Sequence, residues 1–317
     1  MNGTTISVVL CTYNGEEFLR EQLDSIAAQT YPVHELIVQD DNSTDGTAAL
    51  VESYCAQHPS LHLIYITNPQ RLGFNRNFLT AFQRATGDFI AVCDQDDIWE
   101  PQKLERLVCE AGDAMLVFHN SLLFGEAGVM RKLHQRPLPA RPTTLQALLT
   151  PMSYGHQLMF SRKALPVLNA FSPCELSYDY FTYALCGCMG SIRYVDEPLV
   201  RWRRYNRAAT FSDKEASNNR LYGYWRALLA LGNRANRERT SRYFALFTAL
   251  PFVQGVPREV VTLMSRNRTV SFLKAALLCL RHKRELVADK HGLMQSLRAF
   301  FVPLFFIRDH GRYIVKL

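Results

Sequence analysis

Phe89-Ile90-Ala91-Val92-Cys93-Asp94-Gln95-Asp96-Asp97-Ile98-Trp99 is the stretch on which the fold turns. Its first five residues are an unbroken apolar run of strand length, the pattern of a strand buried on both faces. Three carboxylates within four positions follow. In open α/β sheets ligands bind in the crevice outside the C-terminal ends of the strands. Carboxylates two apart on an extended segment share a side. Held close, they repel until a proton or a divalent cation relieves the charge. A hard cation on carboxylates commonly completes its shell with substrate phosphates. The same acids could also form a solvated loop, so their meaning depends on the rest of the chain.

Upstream, strand and helix alternate. Ile6–Cys11 is the first expected strand, and helical spacing over 16–29 puts Phe18, Leu19, Leu23 and Ile26 on one face. Glu35–Gln39 is the second strand; turn residues Asp41–Gly46 lead into a helix over 47–56. A strand over 61–66 and a helix over 75–84 precede the tetrad strand. This rhythm predicts a mostly parallel, Rossmann-like sheet flanked by helices. Downstream, Pro101 opens a helix to about Glu110, and Met115–His119 and Gln157–Ser161 are strands. Residues 134–142, with three prolines, are a loop. A helix covers 178–185, and residues 192–195 and 198–201 form a short closing pair.

The chain has 317 residues and a formal net charge of +7, distributed unevenly. Residues 1–200 carry 13 Lys/Arg and 22 Asp/Glu, whereas residues 201–317 carry 23 and 7. The expected division is a catalytic domain over 1–211 and a basic helical region over 212–317. The latter is either a solvated helical surface or a basic tail meeting an anionic partner, membrane or nucleic acid. Its most apolar piece, Ala299–Ile307, is too short to cross a bilayer. With Arg298, Arg308 and Arg312 nearby, it could lie in an anionic headgroup layer, or its phenylalanines could pack on the catalytic domain with the charge merely solvated. No Cys-x-x-Cys pair occurs, and Met1–Thr5 runs straight into a strand. The expected compartment is therefore the cytoplasm, at most peripheral on the inner face of the plasma membrane.

Other polar groups gather at strand ends. Thr12-Tyr13-Asn14-Gly15 follows the first strand; it could grip a nucleoside or be an Asn-Gly turn. Asp40 and Asp41 end the second strand, where a carboxylate can accept a pyrimidine imide N–H or cap a helix. Arg71 and Arg76 could neutralise a diphosphate or lie on a helix surface. His156 could contact substrate or be structural. Asp179 opens an aromatic helix, as a general base or as a first-turn acid favoured by the helix dipole. Arg201-Trp202-Arg203-Arg204-Tyr205 could clamp a diphosphate or form a basic surface.

Together these residues resemble the family 2 inverting glycosyltransferases of GT-A fold, over roughly residues 5–210. The resemblance rests on Thr12–Glu16, Gln39–Thr47, Asp94–Trp99 and Tyr178-Asp179, four motifs in the family's order. It implies that Thr12, Tyr13, Asn14 and Glu16 belong to the nucleotide-sugar site, that Asp41 reads the pyrimidine, and that Arg76, Gln95 and Arg203 serve the donor. It places Asp94 at the ribose and donor sugar and Asp96 on Mn²⁺ or Mg²⁺. Asp97, Trp99, His156 and Tyr205 fall to the acceptor side or to support of the site, and Asp179 to the catalytic base. Trp202 and Tyr205 depart from the family's Tyr-Arg-x-His segment. The wording of the motifs is similar to that of bacterial rhamnosyltransferases of polysaccharide assembly.

The implied reaction moves a sugar from a UDP- or dTDP-linked donor to a hydroxyl of a glycan or lipid-linked acceptor. An Asp-x-Asp phosphohydrolase would want its nucleophile early in the chain. A non-catalytic sugar-nucleotide-binding module would not need both Asp96 and Asp179. No Gly-x-Gly-x-x-Gly follows the first strand, which disfavours a nicotinamide enzyme. No nucleic-acid recognition motif is present, and no nucleic-acid partner is expected.

Overall fold

Seven consecutive buried residues, Ile6–Thr12, make β1, the strand on which the first half of the sheet is built. The computed structural model describes residues 3–125, 130–171, 177–204 and 220–309. They fall into two units. The first comprises 1–141, 153–170 and 192–212; the second comprises 142–152, 171–191 and 213–317.

In the first unit β1 lies between β2 (Glu35–Asp40) and β4 (Phe89–Cys93), parallel to both, and β3 (Leu63–Thr67) extends the sheet beyond β2. The remaining strands are β5 (Ile98–Trp99), β6 (Leu116–Gly125), β7 (Arg131–Lys132), β8 (Leu158–Ser161) and β9 (Ile192–Arg204). The described strands form one mixed sheet in the order β3-β2-β1-β4-β8-β6-β9-β5, with β7 beside β6. Antiparallel β8 joins the parallel β1–β4 half to the parallel β6/β9 pair.

Both faces of the sheet are buried, as the apolar runs predict. On one face Val8, Leu36 and Ala91 pack under α1 (Leu19–Ala27), α2 (Thr47–Gln57) and α4 (Lys103–Ala111). On the other, α3 (Phe74–Phe82) turns Phe82 onto Phe160 of β8, ring centroids 5.1 Å apart in an edge-to-face contact. The expected closing pair at 192–201 is instead the single strand β9. It runs along β6 with register shifts opposite His119–Ser121, where Pro198 lies in the strand. Proline lacks the N–H that a regular ladder needs, so the interruption becomes a bulge rather than a turn.

The second unit contains α5 (Thr144–Leu149) and, after α6 (Leu165–Phe171), α7 (Tyr178–Met189). It continues with α8 (Arg220–Gly232), α9 (Arg234–Thr248), α10 (Gly255–Met264), α11 (Thr269–Arg281), α12 (Lys283–Leu286) and α13 (Gly292–Asp309). The apolar run 299–307 lies within α13 and packs inward: Leu304, Phe306 and Ile307 are buried. Phe306 meets Tyr243 and Phe244 at 5.5 and 5.0 Å, and Phe301 meets Tyr224 at 4.8 Å. Phe301 and Phe306 thus pack on α8 and α9 of their own unit, an arrangement that neither expectation for this run named. Among the described residues no helix is long and apolar enough to cross a membrane.

Candidate active site

Because β1, β2 and β4 are parallel, their C-terminal ends bring Thr12, Asp40 and Asp94 to one edge of the sheet. The loops beyond them are laced together. Gln95 Oε1 accepts from Thr12 Oγ1 at 2.7 Å and from the Tyr13 N–H at 2.8 Å, and Gln95 Nε2 donates to the Tyr13 carbonyl at 3.3 Å. Gly15 closes this contact: a Cβ there would lie 2.5 Å from Thr12 Oγ1 and 2.8 Å from Gln95 Oε1. Asn14 takes a left-handed backbone, φ 49°, which asparagine tolerates better than most residues. Its N–H donates to Ser43 Oγ, and its Oδ1 accepts from the Thr44 N–H. Glu16 Oε2 accepts from the Gly46 N–H at 2.8 Å. Asn14, Glu16 and Gln95, drawn from the sequence as donor-site residues, thus tie the β1, β2 and β4 loops to one another.

Asp41 is buried and also holds backbone. Its Oδ1 accepts from the Leu72 N–H and Asn68 Nδ2, and its Oδ2 from the Gly73 N–H. This fixes the loop that carries Arg71, whose guanidinium lies 3.9 Å from the Tyr13 ring centroid. Arg76 is exposed on the first turn of α3.

The tetrad spans from β4 to β5, and β9 grips it. The Arg203 N–H donates to Asp97 Oδ1 at 3.0 Å, and Arg203 Nε donates to the Asp96 carbonyl at 2.9 Å. The same guanidinium pairs with Glu21 and lies between the rings of Phe18 and Phe124, 4.3 and 4.7 Å from their centroids. Asp94 and Asp96 are half-buried, whereas Asp97 is fully buried. Burial, and next Asp96 and Asp94, push the Asp97 carboxyl well above its usual range.

Beneath the tetrad sits Lys103, also fully buried. It donates to the His156 carbonyl at 3.0 Å and lies 3.4 Å from the centroid of the buried Trp99 ring. Burial pushes it down to about 7, against the pull of Cys93, Asp97 and Asp94. Lys103 was not among the site residues expected from the sequence. Its signal was the spacing of Lys103, Leu107 and Ala111, which repeats every four residues on the buried face of α4.

His156 stands just before β8, whose antiparallel course brings its start to the edge where β4 ends. Its Nε2 bonds Ser121 Oγ at 2.9 Å, and its Nδ1 lies 3.9 Å from Asp94 Oδ2. Burial holds its pKa well below 6.5, so the ring is neutral and competent as a ligand. One ligand atom each from Asp94, Asp97 and His156 lies within 4.8 Å of the others. Asp97 Oδ2 is buried with no hydrogen-bond partner. Two carboxylates, one with an orphaned oxygen, and a neutral imidazole fit a divalent cation.

Tyr154, which the sequence reading did not single out, and Trp202 of the candidate clamp segment form an aromatic wall against His156. Trp202 lies 4.8 Å from the His156 ring and 5.1 Å from Tyr154, and the Arg204 guanidinium lies 4.6 Å from Trp202. Tyr154 is an exposed aromatic, the type of surface on which sugars and bases stack. Asp179 belongs to the second unit, half-buried on the first turn of α7, where its Oδ1 accepts from Ser177 Oγ and from the Tyr180 N–H. Tyr205 lies outside the described residues.

The sequence profile of glycosyl transferase family 2 matches residues 7–168. EpsE of Bacillus subtilis (strain 168), named as a glycosyltransferase, is 35% identical over 169 residues, 50% of this chain and 57% of EpsE. TuaG of the same organism, named for teichuronic acid biosynthesis, is 33% identical over 101 residues, 32% of this chain and 39% of TuaG. The chain thus spans about a third to just over half the length of the curated relatives it matches. Among solved structures, the mannosyltransferase PcManGT from Pyrobaculum calidifontis, in complex with GDP-Man and Mn²⁺, has a TM-score of 0.53 at 22% identity, covering 97% of this chain and 81% of that one. TarS 1-349 of S. aureus, in complex with UDP-GlcNAc, also gives 0.53, at 17% identity, covering 97% and 91%. At these identities the likeness is one of fold.

Proposed function

The chain belongs to glycosyl transferase family 2 and has an α/β GT-A-like fold, and from that premise we propose that it transfers a sugar, with inversion, from a nucleotide-sugar donor to a hydroxyl of a glycan or lipid-linked saccharide. The proposed setting is cytoplasmic assembly of a bacterial surface polysaccharide, in line with TuaG being named for teichuronic acid biosynthesis. The observation that carries the proposal is the tetrad itself. It is set at the ends of parallel strands, held by Gln95 and Arg203, and has His156 and an orphaned Asp97 oxygen beside Asp94.

In this reading Tyr13 and Arg71 flank the nucleoside, and Asp94 faces the ribose and the donor sugar. Asp41 keeps a lone pair on Oδ2 for a pyrimidine imide, which favours UDP or dTDP. The family resemblance gives the cation to Asp96; the closeness of Asp94, Asp97 and His156 supports these three as an alternative ligand set. These residues would hold a divalent cation, which would supply charge neutralisation for the departing diphosphate. Asp179 takes the proton of the attacking hydroxyl, and no covalent enzyme intermediate is required.

The test is a hydrolysis and thermal-shift screen of UDP-, dTDP- and GDP-sugars with Mn²⁺ or Mg²⁺. TarS was solved with UDP-GlcNAc and PcManGT with GDP-Man, so all three bases belong in the panel. Turnover with a pyrimidine donor is expected. GDP binding tighter than both UDP and dTDP would remove Asp41 as the base-reading residue, and no turnover with any donor would remove the proposal.

A further inference from the structure

Three helices of the second unit are apolar on the side they turn to water. On α8, Leu221, Trp225 and Leu229 recur every fourth residue and are exposed, while Ala227, Ala230 and Leu231 are buried. On α11, Val270, Leu273 and Leu277 are exposed at helical spacing, while Phe272, Ala275 and Ala276 are buried. On α13, Leu293 is 83% exposed and Leu297 lies exposed one turn on. Helix α13 packs against both α8 and α11. A surface helix ordinarily turns polar residues outward, and large apolar side chains exposed on neighbouring helices mark a docking surface.

The charge around these stripes says what docks. The sequences of α8, α11 and α13 contain six basic residues and a single acid, Asp309, which pairs with Arg308. At the start of α11, Arg266, Arg268 and Lys274 line an open cavity of about 520 Å³ that reaches Val270. A second copy of this face would set like charges against each other, whereas an anionic surface meets complementary charge. None of the three helices can cross a bilayer.

We propose that this face docks on an anionic lipid bilayer, with the apolar stripes entering the headgroup layer and the arginines and lysines meeting phosphates. The site differs from the run 299–307 singled out in the sequence, which packs inward. The inference goes beyond the transfer reaction and does not rest on it, because binding is measured with no sugar nucleotide present.

The test is co-sedimentation of the full chain with phosphatidylglycerol–phosphatidylcholine vesicles against phosphatidylcholine alone. Binding to the anionic vesicles only is expected, and added salt should weaken it. Replacing Arg266, Arg268 and Lys274 together with Ala should weaken it on the order of a hundredfold. Leu221→Ser with Leu229→Ser and Leu277→Ser should also weaken it. These side chains are exposed, so the melting temperature should hold and loss of binding cannot be put down to unfolding. The emission of Trp225 should shift to the blue on binding, and Trp225→Phe should abolish that shift. Equal binding to neutral vesicles would overturn the proposal. So would no vesicle binding, whether the chain stays monomeric or sediments as a dimer that the serine variant splits.

Discussion

Asp97 of the tetrad and Lys103 beneath it are both fully buried, and burial drives each toward its neutral form. If Asp97 is a metal ligand, the proton its raised pKa retains must leave when a cation binds. Affinity for Mn²⁺ should then rise with pH, approaching tenfold per unit while the proton is still held, and Asp97→Asn should flatten the slope. Mn²⁺ titrations between pH 6 and 8 on the wild type, Asp96→Ala, Asp97→Asn and His156→Gln would assign the ligands. A steep slope retained in Asp97→Asn, with binding lost only in Asp96→Ala, would restrict the cation to Asp96. Lys103 gives a second pH signature. With its folded pKa near 7 and the unfolded value near ~10.4, the unfolded chain binds more protons between those values. The penalty for burying the ammonium is thus full below 7 and fades as pH rises. Lys103→Met removes it, so wild type should gain on the variant in urea melts from pH 7 to 9; a gap constant with pH would refute this. Asp179→Asn keeps shape and removes basicity. It should slow transfer by ~10²–10⁴-fold while donor binding survives. Normal transfer would return Asp179 to a purely local role at the start of α7.

At the scale of elements, the site depends on a clasp between loops from different strands. Gln95 joins the β4 loop to the end of β1, and Arg203 of β9 joins it to the far side of the sheet. Gly15→Ala forces a Cβ into Thr12 Oγ1 and Gln95 Oε1. Overpacking of this kind should destabilise by about 1–3 kcal/mol and raise the donor KM, because the clasp must open. Chemical denaturation and steady-state kinetics measure the two effects, and an unchanged KM would show that the clasp does not position the donor. Arg203→Lys keeps the charge and the backbone N–H to Asp97. It loses the planar fork that reaches the Asp96 carbonyl, Glu21 and two rings together. Activity should fall at least about tenfold even with the charge retained, on the scale of a lost charge-assisted hydrogen bond. Full activity in Arg203→Lys would make the contact dispensable.

For the whole molecule, the charge is divided along the chain: the first 200 residues are net acidic and the remainder strongly basic. The acidic part carries the tetrad, and the basic part carries the exposed apolar stripes of α8, α11 and α13. A bound cation should stabilise the fold by mass action. Saturating Mn²⁺ should therefore raise the melting temperature of the wild type, but not that of a variant lacking the ligand. An equal rise in both would mean that the cation binds elsewhere.

Much of this was legible in the sequence, because strand and helix periods are local. Strand-length stretches rich in apolar residues and closed by turn residues placed β1, β2 and β4, and the acids immediately after β4 placed the tetrad at a strand end. The continuity of β9 was not legible, since a strand that absorbs a proline in a bulge looks like two strands along the chain. Nor were the burial of Lys103, the Gln95 and Arg203 clasps, or the approach of His156 to Asp94. The clasp hydrogen bonds join residues 82 to 107 positions apart, and no short window of sequence contains both partners. The inward packing of the α13 phenylalanines was equally a tertiary matter. An apolar helix carries the same residues whether it faces lipid or protein, and its neighbours α8 and α9 decided that it faces protein while other leucines stayed exposed.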